Sequence, residues 1–87
     1  MQTDTDDQLR SILVDVLGLS RDRVAGFRDD TGLFGDLPEL DSIAVAGLLT
    51  EIEDRMGIVI DDDEVDGDLL ATYGALSRFV AAKQAGR

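Results

Sequence analysis

Two apolar stripes, each closed by a glycine, limit what this chain can fold into. Leu9, Ile12, Leu13, Val16 and Leu17 follow the i, i+3, i+4, i+7, i+8 spacing of an amphipathic helix, and Gly18 stands where a left-handed cap would end it. Val45, Leu48, Leu49, Ile52 and Met56 form a second stripe, ended by Gly57. A third face is made by Tyr73, Leu76, Phe79 and Val80. Thr72 is placed to cap it, and Lys83 and Arg87 suit the negative end of its dipole. Upstream, Thr5 is followed three residues later by Gln8, with Asp6 and Asp7 between them. That pattern predicts a capping box at the start of the first helix.

The segments between the stripes are less regular. From Leu19 to Leu40 no period holds, and Gly26, Gly32, Gly35 and Pro38 punctuate the run. Leu19, Val24, Phe27, Leu33, Phe34 and Leu37 are scattered through it, so we expect a long loop pinned to the core by apolar side chains. The β-branched "IVI" at 58–60 has no second strand to pair with, and reads as a connector that buries Ile58 or Ile60. "DDDEVDGDLL" supports one short helical turn. The expected fold is all-α: a small bundle of three main helices plus one short helix, with a long loop between helices 1 and 2. It forms a single domain over 1–87 with an ordered core of about 5–84. Leu13, Val16, Leu17, Leu49, Ile52, Met56, Leu76 and Val80 are the expected core.

Charge narrows the function. The 87 residues carry a net charge of −11, and the only basic residue between Asp29 and Asp68 is Arg55. Nucleic acids and anionic membranes are bound by Lys and Arg that release counterions, so neither is an expected partner. Partners with basic patches are, with association that weakens as salt rises. The N-terminus "MQTDTDDQLR" lacks the basic and apolar regions of a secretory signal, and no apolar run reaches the ~20 residues of a membrane span. With no cysteine in the chain, these features lead us to expect a cytoplasmic monomer.

Chemistry must be sought in "LPELDSIAV", where Asp41-Ser42 marks the passage from a Pro-containing loop to an apolar run. Ser42 could cap a helix, act as a nucleophile, or carry a group attached from outside. A serine nucleophile needs a base, and the chain has no histidine. Asp41 is a good N-cap residue, with Ser42 as the first helical residue. A second candidate, "DDEVDG" at 62–67, mimics the start of a calcium loop, but Tyr73 stands where the bidentate Glu would be required.

"LFGDLPELDSIAVAGLLTEIEDRMGI" resembles the core of acyl carrier proteins, in which an "LF-x-DLG-x-DSL" loop delivers Asp-Ser-Leu to the start of the second helix. "TYGALSRFV" is similar to the family's "TVGDLVAFI". The resemblance implies that Ser42 bears 4′-phosphopantetheine, transferred from coenzyme A by a phosphopantetheinyl transferase. It also implies that an acyl group rides on the arm as a thioester, and that the chain catalyses nothing itself. Further implied partners are an acyl-loading ligase or synthase and an acyl-transferring enzyme. Asp41 would be a partner-reading acid, and Glu51, Glu53 and Asp54 are the other acids along that helix. A peptidyl or aminoacyl carrier, or an unmodified acidic interaction protein, are the rival readings.

The chain departs from the family pattern in two places. "LPELDS" is one residue longer than the usual loop, with Pro38-Glu39 in place of a glycine. Ala44 and Gly47 stand where many fatty-acid carriers place acids. Gly47 costs its helix roughly 1 kcal/mol relative to Ala. It is explained either by drift or close packing against the long loop, or by a flat patch one turn from Ser42, and the flat patch predicts less ionic partner contacts. "LPELDSIAV" with "DDDEV" looks like carriers of bacterial exopolysaccharide or exosortase-associated gene clusters.

Overall fold

The computed structural model describes residues 2–86, with side chains from residue 5 onward. Four α-helices follow in order: α1 (Gln2–Leu17), α2 (Arg21–Ala25), α3 (Ser42–Met56) and α4 (Tyr73–Ala85). A 3-10 turn at Asp62–Glu64 lies between α3 and α4. The three expected stripes are the three long helices, so the all-α bundle stands. Gly18 and Gly57 end α1 and α3 at φ 69° and 66°. Only glycine reaches this left-handed region without a Cβ penalty. Arg87, expected to favour the end of α4, lies outside the described residues.

α1 packs on α2, α3 and α4 and so stands at the centre of the bundle. Leu9, Ile12 and Leu13 from α1 meet Leu48 and Ile52 from α3 and Leu76 and Val80 from α4, all without exposure to solvent. Two expected core residues sit off centre. Val16 and Leu49 are only half-buried, at the edges of their stripes, while Leu9, Ile12 and Leu48 take the middle. The connector behaves as expected: Ile58 is buried, Ile60 half-buried, and Val59 turned outward.

Two expectations need correction. α1 begins by Gln2, so Thr5 is not its cap but lies inside the helix. The Thr5 hydroxyl donates to Gln84 Oε1 on α4 at 2.6 Å, and Gln84 Nε2 in turn donates to the Met56 carbonyl at the end of α3. The pinned loop also holds a short helix where the sequence has no period. Ser20 accepts the Arg23 amide and caps the five-residue α2, which buries Val24. Leu19, Phe27, Leu33, Leu37 and Leu40 pin the rest of the loop, but Phe34 is half-exposed and does not.

The loop is held at a second line by backbone pairing with the start of α4. Leu33 N–H donates to the Ala71 carbonyl and Phe34 N–H to that of Leu70, while Tyr73 and Gly74 amides donate back to Thr31 and Asp29. Gly32 and Thr72 form the antiparallel bridge at its centre. This pairing fixes where Phe34 and Leu70 stand relative to the head of α3.

Candidate functional site at the head of α3

The path into α3 is set by short-range bonds and buried leucines. Asp36 and Leu37 amides both donate to the Leu33 carbonyl, and the Leu40 amide donates to that of Leu37. Leu33, Leu37 and Leu40 are buried, which leaves Pro38 and Glu39 outside. The inserted Pro38-Glu39 is tied to α2: Arg23 donates to Glu39 Oε2 at 2.8 Å, and that bond holds the Glu39 carboxyl below its usual range.

Asp41 is the N-cap in extended backbone, and its Oδ1 accepts the Ala44 amide at 2.8 Å. Ser42 follows as the first helical residue and is exposed. Among the described residues the amides of Ser42 and Ile43, and the Ser42 hydroxyl, have no hydrogen-bond partner. Two donors at the positive end of a 15-residue helix therefore face solvent beside the hydroxyl. That donor set fits a phosphodiester on Ser42 Oγ. Among the described residues no side chain is hydrogen-bonded to the hydroxyl, so the nucleophile reading has no support in the geometry.

Ser42 lies on the rim of two open clefts between α3 and the 57–70 segment. One, of about 360 Å³, is lined by Phe34, Val45, Val65, Asp66, Gly67 and Leu70 together with Ser42. The other, of about 460 Å³, runs past Leu49, Thr50, Glu53 and Ile60. Ser42, Val45 and Val65 line both. An extended chain attached at Ser42 thus has a mainly apolar wall on one side of Val65 and a mixed one on the other, where Thr50, Glu53 and Asp62 stand beside Leu49 and Ile60.

The expected partner residues are dispersed. Gly47 and Asp54 are exposed, whereas Ala44 is half-buried against the core. Nothing lies within 4 Å of the place a Gly47 Cβ would take, so close packing does not explain that glycine. Glu51 is engaged by Arg55, whose Nε donates to it at 2.6 Å while its NH1 reaches Asp15 on α1 at 2.8 Å. Glu53 is half-buried and accepts the Ile60 amide at 2.7 Å. Sequence reasoning missed Phe34 and Val65 as cleft walls and Glu53 as a fastening. Only the aromatic next to Leu33 gave any sign. Among the described residues no group of His, Cys, Asp or Glu is arranged to hold a metal ion, and no helix is long and apolar enough to cross a membrane.

Comparison with known proteins identifies the family. The family model for the phosphopantetheine attachment site matches residues 7–80. Among solved structures, the holo acyl carrier protein of Nitrosomonas europaea, determined by NMR in solution, is similar over 92% of this chain and 95% of its own. The two chains are 36% identical, with a TM-score of 0.82. The chain belongs to the acyl carrier protein family, whose members are non-catalytic and carry 4′-phosphopantetheine as a covalently attached prosthetic group.

Proposed function

We propose that Ser42 is the residue that bears the arm. The observation that carries this reading is the exposed Ser42 hydroxyl at the first position of α3, beside two unpaired amides and at the junction of two open clefts. When attached, the arm supplies the thiol on which an acyl group is held as a thioester. The chain's own part is to present Ser42 Oγ to the transferase, to set the phosphodiester against the Ser42 and Ile43 amides, and to offer Phe34, Val45, Val65 and Leu70 as an apolar wall. Asp41 serves twice in this reading, as the cap that fixes the first turn and as an acid at the edge of the partner surface.

The pathway we propose is a specialised one in the cytoplasm, of the exopolysaccharide or exosortase-associated kind. It is supported by the Pro38-Glu39 loop and by a first turn of α3 that carries no acid. Partners in this reading are a phosphopantetheinyl transferase, an acyl-loading ligase or synthase, and an acyl-transferring enzyme. Peptide mapping of the modified protein tests the attachment point. The mass of the arm is expected on the peptide containing Ser42, and finding it on Ser11, Ser20 or Ser77 would overturn the assignment.

A further inference from the structure

We propose that Lys83 is the one side chain that the carrier's own thioester acylates readily, and that its ion pair with Glu64 guards it. The proposal rests on Ser42 being the attachment residue, because the arm brings the thioester to this side of the bundle. Thioesters pass their acyl group most readily to thiols, imidazoles and neutral amines. The chain has no cysteine and no histidine. Of its eight basic residues all but Lys83 are arginines, which stay charged at any working pH. Lys83 therefore carries the single side-chain amine.

That amine stands next to the clefts. Val65 walls both clefts on which Ser42 borders, and Asp62 lines the second of them. Glu64 lies between these two in the 3-10 turn, and its Oε1 is 2.6 Å from Lys83 Nζ. The Phe79 ring covers another side, with its centre 5.6 Å from Nζ. An arm lying in the second cleft thus carries its cargo past this turn. Tethering replaces a chance encounter by an effective concentration on the order of millimolar. The reaction open to the pair is aminolysis. The neutral Lys83 nitrogen attacks the thioester carbonyl carbon, and the C–N bond forms as the C–S bond breaks. The electron pair leaves with sulfur, and the proton lost by nitrogen ends on the thiol. Cargo is then fixed as an amide on α4 and can no longer be delivered. Glu64 opposes this by holding the nitrogen as an ammonium. Its hydrogen bond is the main reason that the Lys83 pKa lies above the ordinary value, with Asp61 and Asp63 adding to the field and desolvation working against it. The carboxylate withholds the lone pair that attack needs.

Two measurements test this. In the apo protein, brief labelling with limiting acetic anhydride, read by peptide mapping, should acetylate Lys83 roughly three- to tenfold faster in Glu64→Gln than in the wild type. Gln keeps an acceptor for the Asp61 amide, so the turn is retained, which circular dichroism checks. For the tethered reaction, a broad-specificity phosphopantetheinyl transferase loads the chain from acetyl-coenzyme A. After incubation in mildly alkaline buffer, hydroxylamine strips the thioester and leaves amides. Acetyl-Lys83 should form faster in Glu64→Gln than in the wild type, at a rate independent of protein concentration. Ser42→Ala should show only the slow background from free acetyl-coenzyme A, and Lys83→Arg should gain no amide. A fully loaded Glu64→Gln that forms no more acetyl-Lys83 than Ser42→Ala, or equal labelling of the two apo proteins, overturns the guard alone. A folded wild type that takes no arm overturns the Ser42 assignment, and this inference with it.

Discussion

The Glu53 carboxylate accepts the Ile60 amide at 2.7 Å, fastening the last turns of α3 to the segment that walls both clefts beside Ser42. The same residue's carbonyl accepts the Gly57 and Ile58 amides, so one position organises the whole exit from the helix. Further along, Lys83 on α4 holds Glu64 at 2.6 Å. Between these fastenings, the amides of Asp61, Glu64 and Val65 bond only within the 61–65 turn.

Removing the first fastening should loosen the cleft wall. Glu53→Ala is expected to cost about 1.5 kcal/mol, because it leaves a half-buried amide without its charged acceptor. Hydrogen exchange of the 58–65 amides should accelerate in that variant, while Glu53→Gln, which keeps an acceptor, restores most of the protection. Glu64→Gln removes the solvent-screened ion pair to Lys83 and should accelerate exchange less than Glu53→Ala does. Equal exchange rates in Glu53→Ala and the wild type would show that Ile58, Leu69 and Leu70 alone hold the segment.

Arg10 joins three parts of the fold far from Ser42. Its Nε donates to Asp6, its NH1 to the Val24 carbonyl and its NH2 to the Phe27 carbonyl, and its guanidinium lies 4.6 Å from the centre of the Tyr73 ring. Tyr73 donates its hydroxyl to the other oxygen of Asp6. Arg10→Ala is expected to lower stability by about 2–3 kcal/mol in urea denaturation, since two carbonyls and a carboxylate lose their donor. Arg10→Lys should recover little of it, because an ammonium cannot span the three acceptors.

The same cluster gives a pH dependence. Burial works to raise the Asp6 pKa, but the bonds from Tyr73 and Arg10 outweigh it, and the net shift is downward from 3.8. The ionised carboxylate is thus favoured in the folded state. Its contribution is complete above the ordinary aspartate pKa and is lost as pH falls through the lower folded value. Asp6→Asn should be less stable than the wild type at neutral pH, and the gap should narrow below about pH 4. A gap that stays constant down to that range would remove the linkage.

Two helical glycines should respond in opposite directions to alanine. At Gly47 a Cβ meets nothing within 4 Å, so Gly47→Ala should stabilise the chain by up to about 1 kcal/mol through helix propensity. At Gly74 a Cβ would come within 2.7 Å of the Asp29 carbonyl oxygen and 2.8 Å of its carboxylate. Gly74→Ala should therefore push the 29–34 loop off α4 at a cost of about 1–3 kcal/mol, despite the same gain in propensity. Thermal denaturation of the two variants would show shifts of opposite sign.

What could be read in the sequence was what local rules determine. The stripes and glycine stops of α1 and α3 and the caps at Asp41 and Thr72 need only neighbours within a few residues. Thr5 misled because a capping-box pattern marks a helix start only if nothing helical precedes it. α2 escaped because a single turn has no period to detect. Val16 and Leu49 lie on the correct stripes, but a stripe about 100° wide does not reveal its own centre, which the partner helix chooses. At the site, Asp41 and Ser42 were legible from their motif. Glu53 was assigned to partners because its bond to Ile60 crosses a helix end, and charge alone does not reveal that a carboxylate is already engaged. The walls Phe34 and Val65 belong to segments that meet only in the folded chain.

The central claim is that Ser42 carries the arm, and the most direct test is intact-protein mass. The wild type and Ser42→Ala are incubated in parallel with coenzyme A, magnesium and a broad-specificity phosphopantetheinyl transferase. The account predicts one added phosphopantetheine on the wild type and none on Ser42→Ala, with both chains folded. An equal addition to both, or none to a folded wild type, would contradict it.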